Sequence, residues 1–254
     1  MDTEIFTRSS NTIPTDGADS KIHSLENTAL ISNQFLNKLT HTVGHDLRSP
    51  MFVIRSYAQL LHRNKEKERL DRGLNMIGDA TLKMEKIIDG LVSLVDIYTK
   101  PAPEPTTLYF HQILEQVQIQ LCNEIEMHQP KFIVSFEAVG TINFPASYLK
   151  EIMFNLIDNA IRHNADNKDL IIKINTVKKG DKTILNIIDN GKEVIAPKEF
   201  EKLKDPFYTN CKIQTQAGLG LSKVEAIAQK VGGKFIMDNA LGFEMMICKF
   251  VFPK

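Results

Sequence analysis

Lys100-Pro101-Ala102-Pro103-Glu104-Pro105 divides the chain. Its prolines stand at every second position, fixing φ and removing backbone donors, so neither a helix nor a central strand can run through it. It reads as a stiff linker, and the sequence patterns on its two sides differ.

Upstream, apolar residues recur at Ile31, Phe35, Leu39, Val43, Leu47, Ile54, Tyr57 and Leu61, the stripe of one long helix from about Ser24 to Arg63. Pro50 interrupts this helix and predicts a kink there. The charged stretch Asn64 to Arg69 leads into a second pattern at Leu70, Leu74, Ile77, Thr81, Met84, Ile88, Leu91 and Val95. Its alternating steps of three and four form a heptad rhythm. Two such helices make an antiparallel hairpin. Each carries more apolar surface than one neighbour covers, which favours a dimeric four-helix bundle over a monomeric hairpin resting on the second domain.

Downstream, helical patterns (Phe110 to Met127, Ser147 to His163, Leu219 to Val231) mix with β-rich runs (Phe132 to Phe136, Leu170 to Val177, Thr183 to Ile188, Lys234 to Met237, Glu244 to Phe252). The strands come in adjacent pairs without regular βαβ alternation, so this part reads as an α/β sandwich with helices on one face of a mixed sheet. The fold class is α+β. The expected divisions are a disordered polar tail over 1–24, a helical hairpin over 25–99, the linker over 100–106 and an α/β domain over 107–254.

Of 254 residues 43% are apolar, enough for a buried core, while Lys+Arg and Asp+Glu both number 31. That balance gives no general attraction to nucleic acid or an acidic membrane, so any phosphate site must be local. Three cysteines without C-x-x-C spacing argue against a disulfide framework or zinc knuckle. With no transmembrane segment or secretory leader to be read, the expected location is cytoplasmic.

His45-Asp46-Leu47-Arg48-Ser49-Pro50 sits within the first long helix. His45 lies two residues beyond Val43, about 200° around the helix, and so faces away from the apolar stripe. Asp46 beside it could accept the imidazole proton and raise the nucleophilicity of the ring. His41 and His45 also stand at the i, i+4 spacing of a zinc pair, but no glutamate follows His41 and no third ligand is evident.

With its heptad partner helix, His-Asp-Leu-Arg-Ser-Pro resembles the H-box of the dimerisation and phosphotransfer domain of sensor histidine kinases, and further motifs follow in the family's order. Asn155-Leu156-Ile157-Asp158-Asn159-Ala160-Ile161-Arg162-His163 resembles the N-box. There, by resemblance, asparagine oxygens such as that of Asn155 hold Mg²⁺ against ATP, Asn159 shares the face, and Arg162 with His163 supplies basic groups for the phosphates. A polar surface face is the plainer reading. Asp189-Asn190-Gly191 resembles the first glycine box, whose aspartate meets the adenine amino group; taken alone it signals only a turn. Asp205-Pro206-Phe207-Tyr208-Thr209 resembles the F-box. Gly218-Leu219-Gly220-Leu221-Ser222 resembles the second glycine box at a helix start, where free N–H groups bind phosphate. Lys192, Lys198, Lys202, Lys204 and Lys212 between the glycine boxes fit a lid or simply a solvated segment.

The resemblance, over roughly residues 30 to 254, implies that ATP with Mg²⁺ phosphorylates His45. The phosphoryl group then passes to the receiver domain of a response regulator in trans. Ser49 stands where the family places groups that orient water for dephosphorylation. The polar tail is too short for a sensor domain, so the stimulus would reach the first helix directly or through a separate sensor protein. Two positions depart from the pattern: Glu193 and Gln216 replace glycines. They favour the alternative of a degenerate dimeric scaffold that engages a regulator without turning over ATP. A second alternative is a phosphotransfer intermediary phosphorylated at His45 by another kinase, against which the intact Asn155, Asn159, Asp189 and Gly218-Leu219-Gly220 count.

Overall fold

Before the linker the described residues form helices because their apolar residues repeat with a helical period. The computed structural model describes residues 44, 46–62, 67–164, 166–191, 197–205, 218–239 and 245–253. The tail, the expected helix before residue 44, His41, His45, Lys192, Glu193, Lys212, Gln216 and F-box positions 206–209 lie outside the described residues.

Residues 46–62 are helical (α1), Pro50 included, and α2 spans Lys67–Thr99. The two approach closely at a residue without a side chain: a Cβ on Gly73 would stand 2.7 Å from Leu61 Cδ2. The buried line of α2 is Gly73, Ala80, Ile87 and Leu94, a strict heptad, with Ile77, Met84 and Leu91 half-buried between them. The predicted seam shares those three half-buried residues, but Leu70, Leu74, Thr81 and Ile88 are exposed. The helix thus carries two adjoining stripes, and hydropathy alone weights the exposed one because Gly73 and Ala80 register weakly. No described helix is long and apolar enough to cross a membrane.

After the prolines the chain builds its sandwich from β1 (Thr106–Tyr109), α3 (Phe110–Gln120), α4 (Cys122–His128), β2 (Lys131–Ser135), β3 (Thr141–Phe144), α5 (Ala146–His163), β4 (Ile171–Lys179), β5 (Lys182–Asp189), α6 (Pro197–Leu203), α7 (Gly220–Val231), β6 (Lys234–Asn239) and β7 (Met246–Val251). The main sheet has the order β2-β4-β5-β7-β6; β2 runs parallel to β4 and every other pairing is antiparallel. Strand alternation turns Ile172, Ile174, Leu185, Ile187, Phe235, Met237, Cys248 and Phe250 inward, beneath buried residues of α5 and α7 such as Ile152, Leu156, Val224 and Ile227. Asn175 and Asn186 face the other side and hydrogen-bond across the strands at 2.8 Å.

Phe110, Phe136, Phe144, Phe250 and Phe252 form an aromatic cluster with ring centroids 5.0–6.1 Å apart in edge and stacked contacts. This cluster closes the end of the core where the short β1–β3 pair lies. Sequence periodicity did not predict β1, β3 or α6, which are too short to display a period. The expected single helix from Phe110 to Met127 breaks at Leu121 into α3 and α4.

Candidate nucleotide-binding site

Strand alternation places the first polar group. Leu185 and Ile187 point into the core, so Asp189, two residues on at the end of β5, also points inward and is 7% exposed. Its Oδ1 accepts hydrogen bonds from Asn164 Nδ2 at 3.0 Å and from the Gly191 amide at 2.9 Å. Burial raises its pKa from 3.8 to about 6, against the lowering effect of those two donors. Beneath it the Cys248 thiol is pushed far up by burial, with the nearby Asp189 charge as a second cause.

Asn164 Nδ2 also donates to Ala160 O at 2.8 Å, anchoring it to the last turn of α5. A Cβ at Gly191 would stand 2.4 Å from Asn164 Oδ1 and 2.7 Å from Asp189 Oδ1, so any larger residue there would displace these two side chains. Asn190 secures the turn from behind: its Nδ2 donates to Asp169 O and its Oδ1 accepts from the Ile171 amide.

The second polar group comes from the middle of α5. Asn155 is 8% exposed, and its Nδ2 donates to Glu151 O at 2.7 Å and Glu151 Oε1 at 2.9 Å. Its Oδ1 faces the start of α7, where a Cβ on Gly220 would approach within 2.9 Å. Gly218 has φ 64°, a left-handed conformation suited to glycine. Leu219 caps α7 without a side-chain hydrogen bond, and the first turn carries no acidic residue. The amide N–H groups at this helix start therefore present positive potential beside the Asn155 oxygen. Lys223 in the same turn reaches Glu151 Oε1 at 2.8 Å.

The predicted residues separate into groups. Asn155 meets Gly220, while Asp189 meets Gly191 and the Asn164 that follows the N-box. Asn159 and His163 are half-buried on α5. The Arg162 guanidinium forms ion pairs with Asp158 at 2.6 Å and with Glu124 of α4, so in this arrangement two carboxylates hold it. In the predicted lid, Lys204 pairs with Glu201 at 2.9 Å and lies 3.6 Å from Glu225 of α7, while Lys202 is exposed. Asp46 is half-buried and Ser49 exposed on α1.

Glu151, Asn164 and Lys223 escaped sequence reading. Glu151 sits one helical turn before Asn155, a spacing that could have flagged it. Among the described residues no cluster of three His, Cys, Asp or Glu side chains could hold a metal. An amide oxygen such as Asn155 Oδ1 is a hard ligand suited to Mg²⁺, which takes few protein ligands and completes its shell with phosphate and water.

Two family models match, in this order along the chain. The His Kinase A (phospho-acceptor) domain matches residues 35–98, and the ATPase domain of histidine kinases, DNA gyrase B and HSP90 matches residues 145–252. The chain carries both domains of a histidine kinase core. Its homologues are sensor histidine kinases. The core is 29% identical over 230 residues to the sensor protein KdpD of Clostridium acetobutylicum, covering 86% of this chain and 25% of that protein. It is 25% identical over 213 residues to the methanogenesis regulatory histidine kinase FilI of Methanothrix harundinacea, covering 83% of this chain and 24% of the relative. The kinase core thus spans about a quarter of the length of these two relatives. Among solved structures, histidine kinase ThkA in complex with the response regulator TrrA shares the fold, with a TM-score of 0.73 at 22% identity over 91% of this chain and 66% of that one.

Proposed function

We propose that this kinase core transfers the γ-phosphoryl group of ATP to His45 and then to an aspartate on the receiver domain of a response regulator. The observation that carries the reading is the pairing of Asn155 Oδ1 with the start of α7, which has no side-chain cap, together with the buried Asp189 at the end of β5. One end supplies an acceptor for the adenine amino group. The other supplies a hard oxygen and helix amides for the triphosphate.

In the transfer, an imidazole nitrogen of His45 attacks the γ-phosphorus, the bond to the β,γ-bridging oxygen breaks, ADP leaves, and Asp46 takes the imidazole proton. Asn155 would hold Mg²⁺, which would supply charge neutralisation at the phosphates. Asn155 orients the triphosphate, and the backbone at Gly218, Leu219 and Gly220 approaches it because glycine leaves room. Asn159, Arg162 and His163 form the basic and polar flank of the same helix; Arg162 would have to exchange Glu124 for phosphate. Ser49, exposed on α1 and four residues after His45 in sequence, would orient a water for dephosphorylating the regulator.

Assembly as a homodimer follows from the second stripe of α2: Leu74, Leu82, Ile88 and Val92 are 53%, 57%, 44% and 56% exposed. Such a stripe needs a partner, and a second copy of the hairpin supplies one of matching period. A cytoplasmic location and a signal received from a separate sensor protein complete the reading. The scaffold alternative is favoured by Glu193 and Gln216.

The experiment is transfer. The protein is incubated with γ-labelled ATP and Mg²⁺, freed of nucleotide and mixed with a panel of receiver domains. Label passing to one of them as a hydroxylamine-labile acyl phosphate supports the reading. Calorimetry showing no ATP binding at all would leave the scaffold.

A further inference from the structure

We propose that Glu151 is the positioning residue for Asn155, and that Lys223 completes the arrangement as its charge partner. The inference rests on the nucleotide-site reading above and concerns which end of the Asn155 amide faces the ligand.

An asparagine amide presents an oxygen on one side and an NH₂ on the other, and only the oxygen can ligate a cation. Both Nδ2 hydrogens of Asn155 are taken by one residue: Glu151 O accepts at 2.7 Å and Glu151 Oε1 at 2.9 Å. Turning the amide over would bring Oδ1 against a carbonyl and a carboxylate, acceptors with no hydrogen to share. Glu151 therefore fixes Oδ1 toward Gly220, where the absence of a Cβ leaves the approach open. No described residue donates to that oxygen, so it remains available to a ligand.

A carboxylate this close to a triphosphate would repel it. Lys223 answers that charge from the first turn of α7, with Nζ 2.8 Å from the same Oε1 and its side chain 15% exposed. The pair also joins the helix carrying the metal ligand to the helix whose N-terminus takes phosphate.

The test uses the full chain and calorimetric titration with ATP, once with Mg²⁺ and once with EDTA. The parent should bind more tightly with Mg²⁺. Glu151→Met, of similar volume but with only the backbone carbonyl left to accept from Nδ2, should lose most of that metal-dependent gain, weakening Mg·ATP about tenfold while metal-free ATP changes less than about twofold. Glu151→Gln keeps an acceptor for Nδ2 and should retain most of the gain, a rescue that a purely structural role does not predict. Lys223→Met leaves the amide clamp intact and should weaken both titrations together. Equal metal gains in parent and Glu151→Met, or Glu151→Gln as impaired as Glu151→Met, overturns the positioning role. If Glu151→Met does not fold, loss of the metal gain in Lys223→Met overturns it instead. A parent that binds ATP without any metal gain also overturns it, and a parent that binds no ATP overturns the nucleotide-site reading as well.

Discussion

Leu219 of the second glycine box closes over Gly90 of α2, so tightly that a Cβ at Gly90 would stand 2.6 Å from Leu219 Cδ1. Lys230 Nζ donates to Tyr98 O at 3.4 Å further along the same two helices. The second glycine box is thus in contact with α2 of the phosphoacceptor domain.

Gly90→Leu should overpack this contact and destabilise the protein by about 1–3 kcal/mol, read as a fall in the thermal midpoint. Adding Leu219→Ala makes room and should recover most of the loss, so the two changes must be strongly non-additive. Additive effects would mean that the two side chains do not share this space.

The exposed stripe of α2 predicts a dimer that charge can split. At roughly 20 μM the parent should show a dimeric mass by light scattering, and the Leu74→Glu, Ile88→Glu double variant a monomeric one with unchanged helix content. A monomeric parent contradicts the bundle.

Asp189 predicts two opposed pH dependences. Its folded pKa of about 6 lies above 3.8, so the folded state holds the extra proton between these values and stability falls as pH rises from about 4 to 6, then levels. The full effect is at most roughly 3 kcal/mol, and Asp189→Asn should remove it. Nucleotide affinity should run the other way, since the ionised carboxylate is the stronger acceptor for an amino group. ATP binding measured at pH 5 should be up to about tenfold weaker than at pH 7.5, and this dependence should vanish in Asp189→Asn.

Glu193 follows Gly191 by two residues, where the family pattern has glycine. A carboxylate within several ångströms of phosphate costs about 1 kcal/mol or more, and the lost backbone freedom adds to it. Glu193→Gly should tighten ATP binding about tenfold and speed autophosphorylation, with Glu193→Gln recovering only the electrostatic part. Weaker binding by the glycine variant would show that the side chain makes a favourable contact.

The main-sheet strands and long helices were legible because their apolar residues repeat with clear periods, as in Thr183 to Ile188 and Ser147 to His163. The same alternation buries Asp189, which the turn signal Asp189-Asn190-Gly191 alone could not show. The buried line of α2 was illegible because Gly73, Ala80 and Gly90 are buried by close approach rather than by hydrophobicity. Asn155 was found by its motif, but its amide is held by Glu151, and Glu151 in turn pairs with Lys223; both are single polar residues that read as helix surface until the fold brings α5 and α7 together. The attachment of Arg162 to Glu124 likewise crosses elements far apart in sequence.

His45 is the proposed carrier of the phosphoryl group. Purified protein incubated with γ-labelled ATP and Mg²⁺ should acquire label that acid removes and base does not, and His45→Gln should abolish it with nucleotide affinity unchanged. Undiminished labelling of the His45→Gln protein, or label that resists acid, would contradict the account.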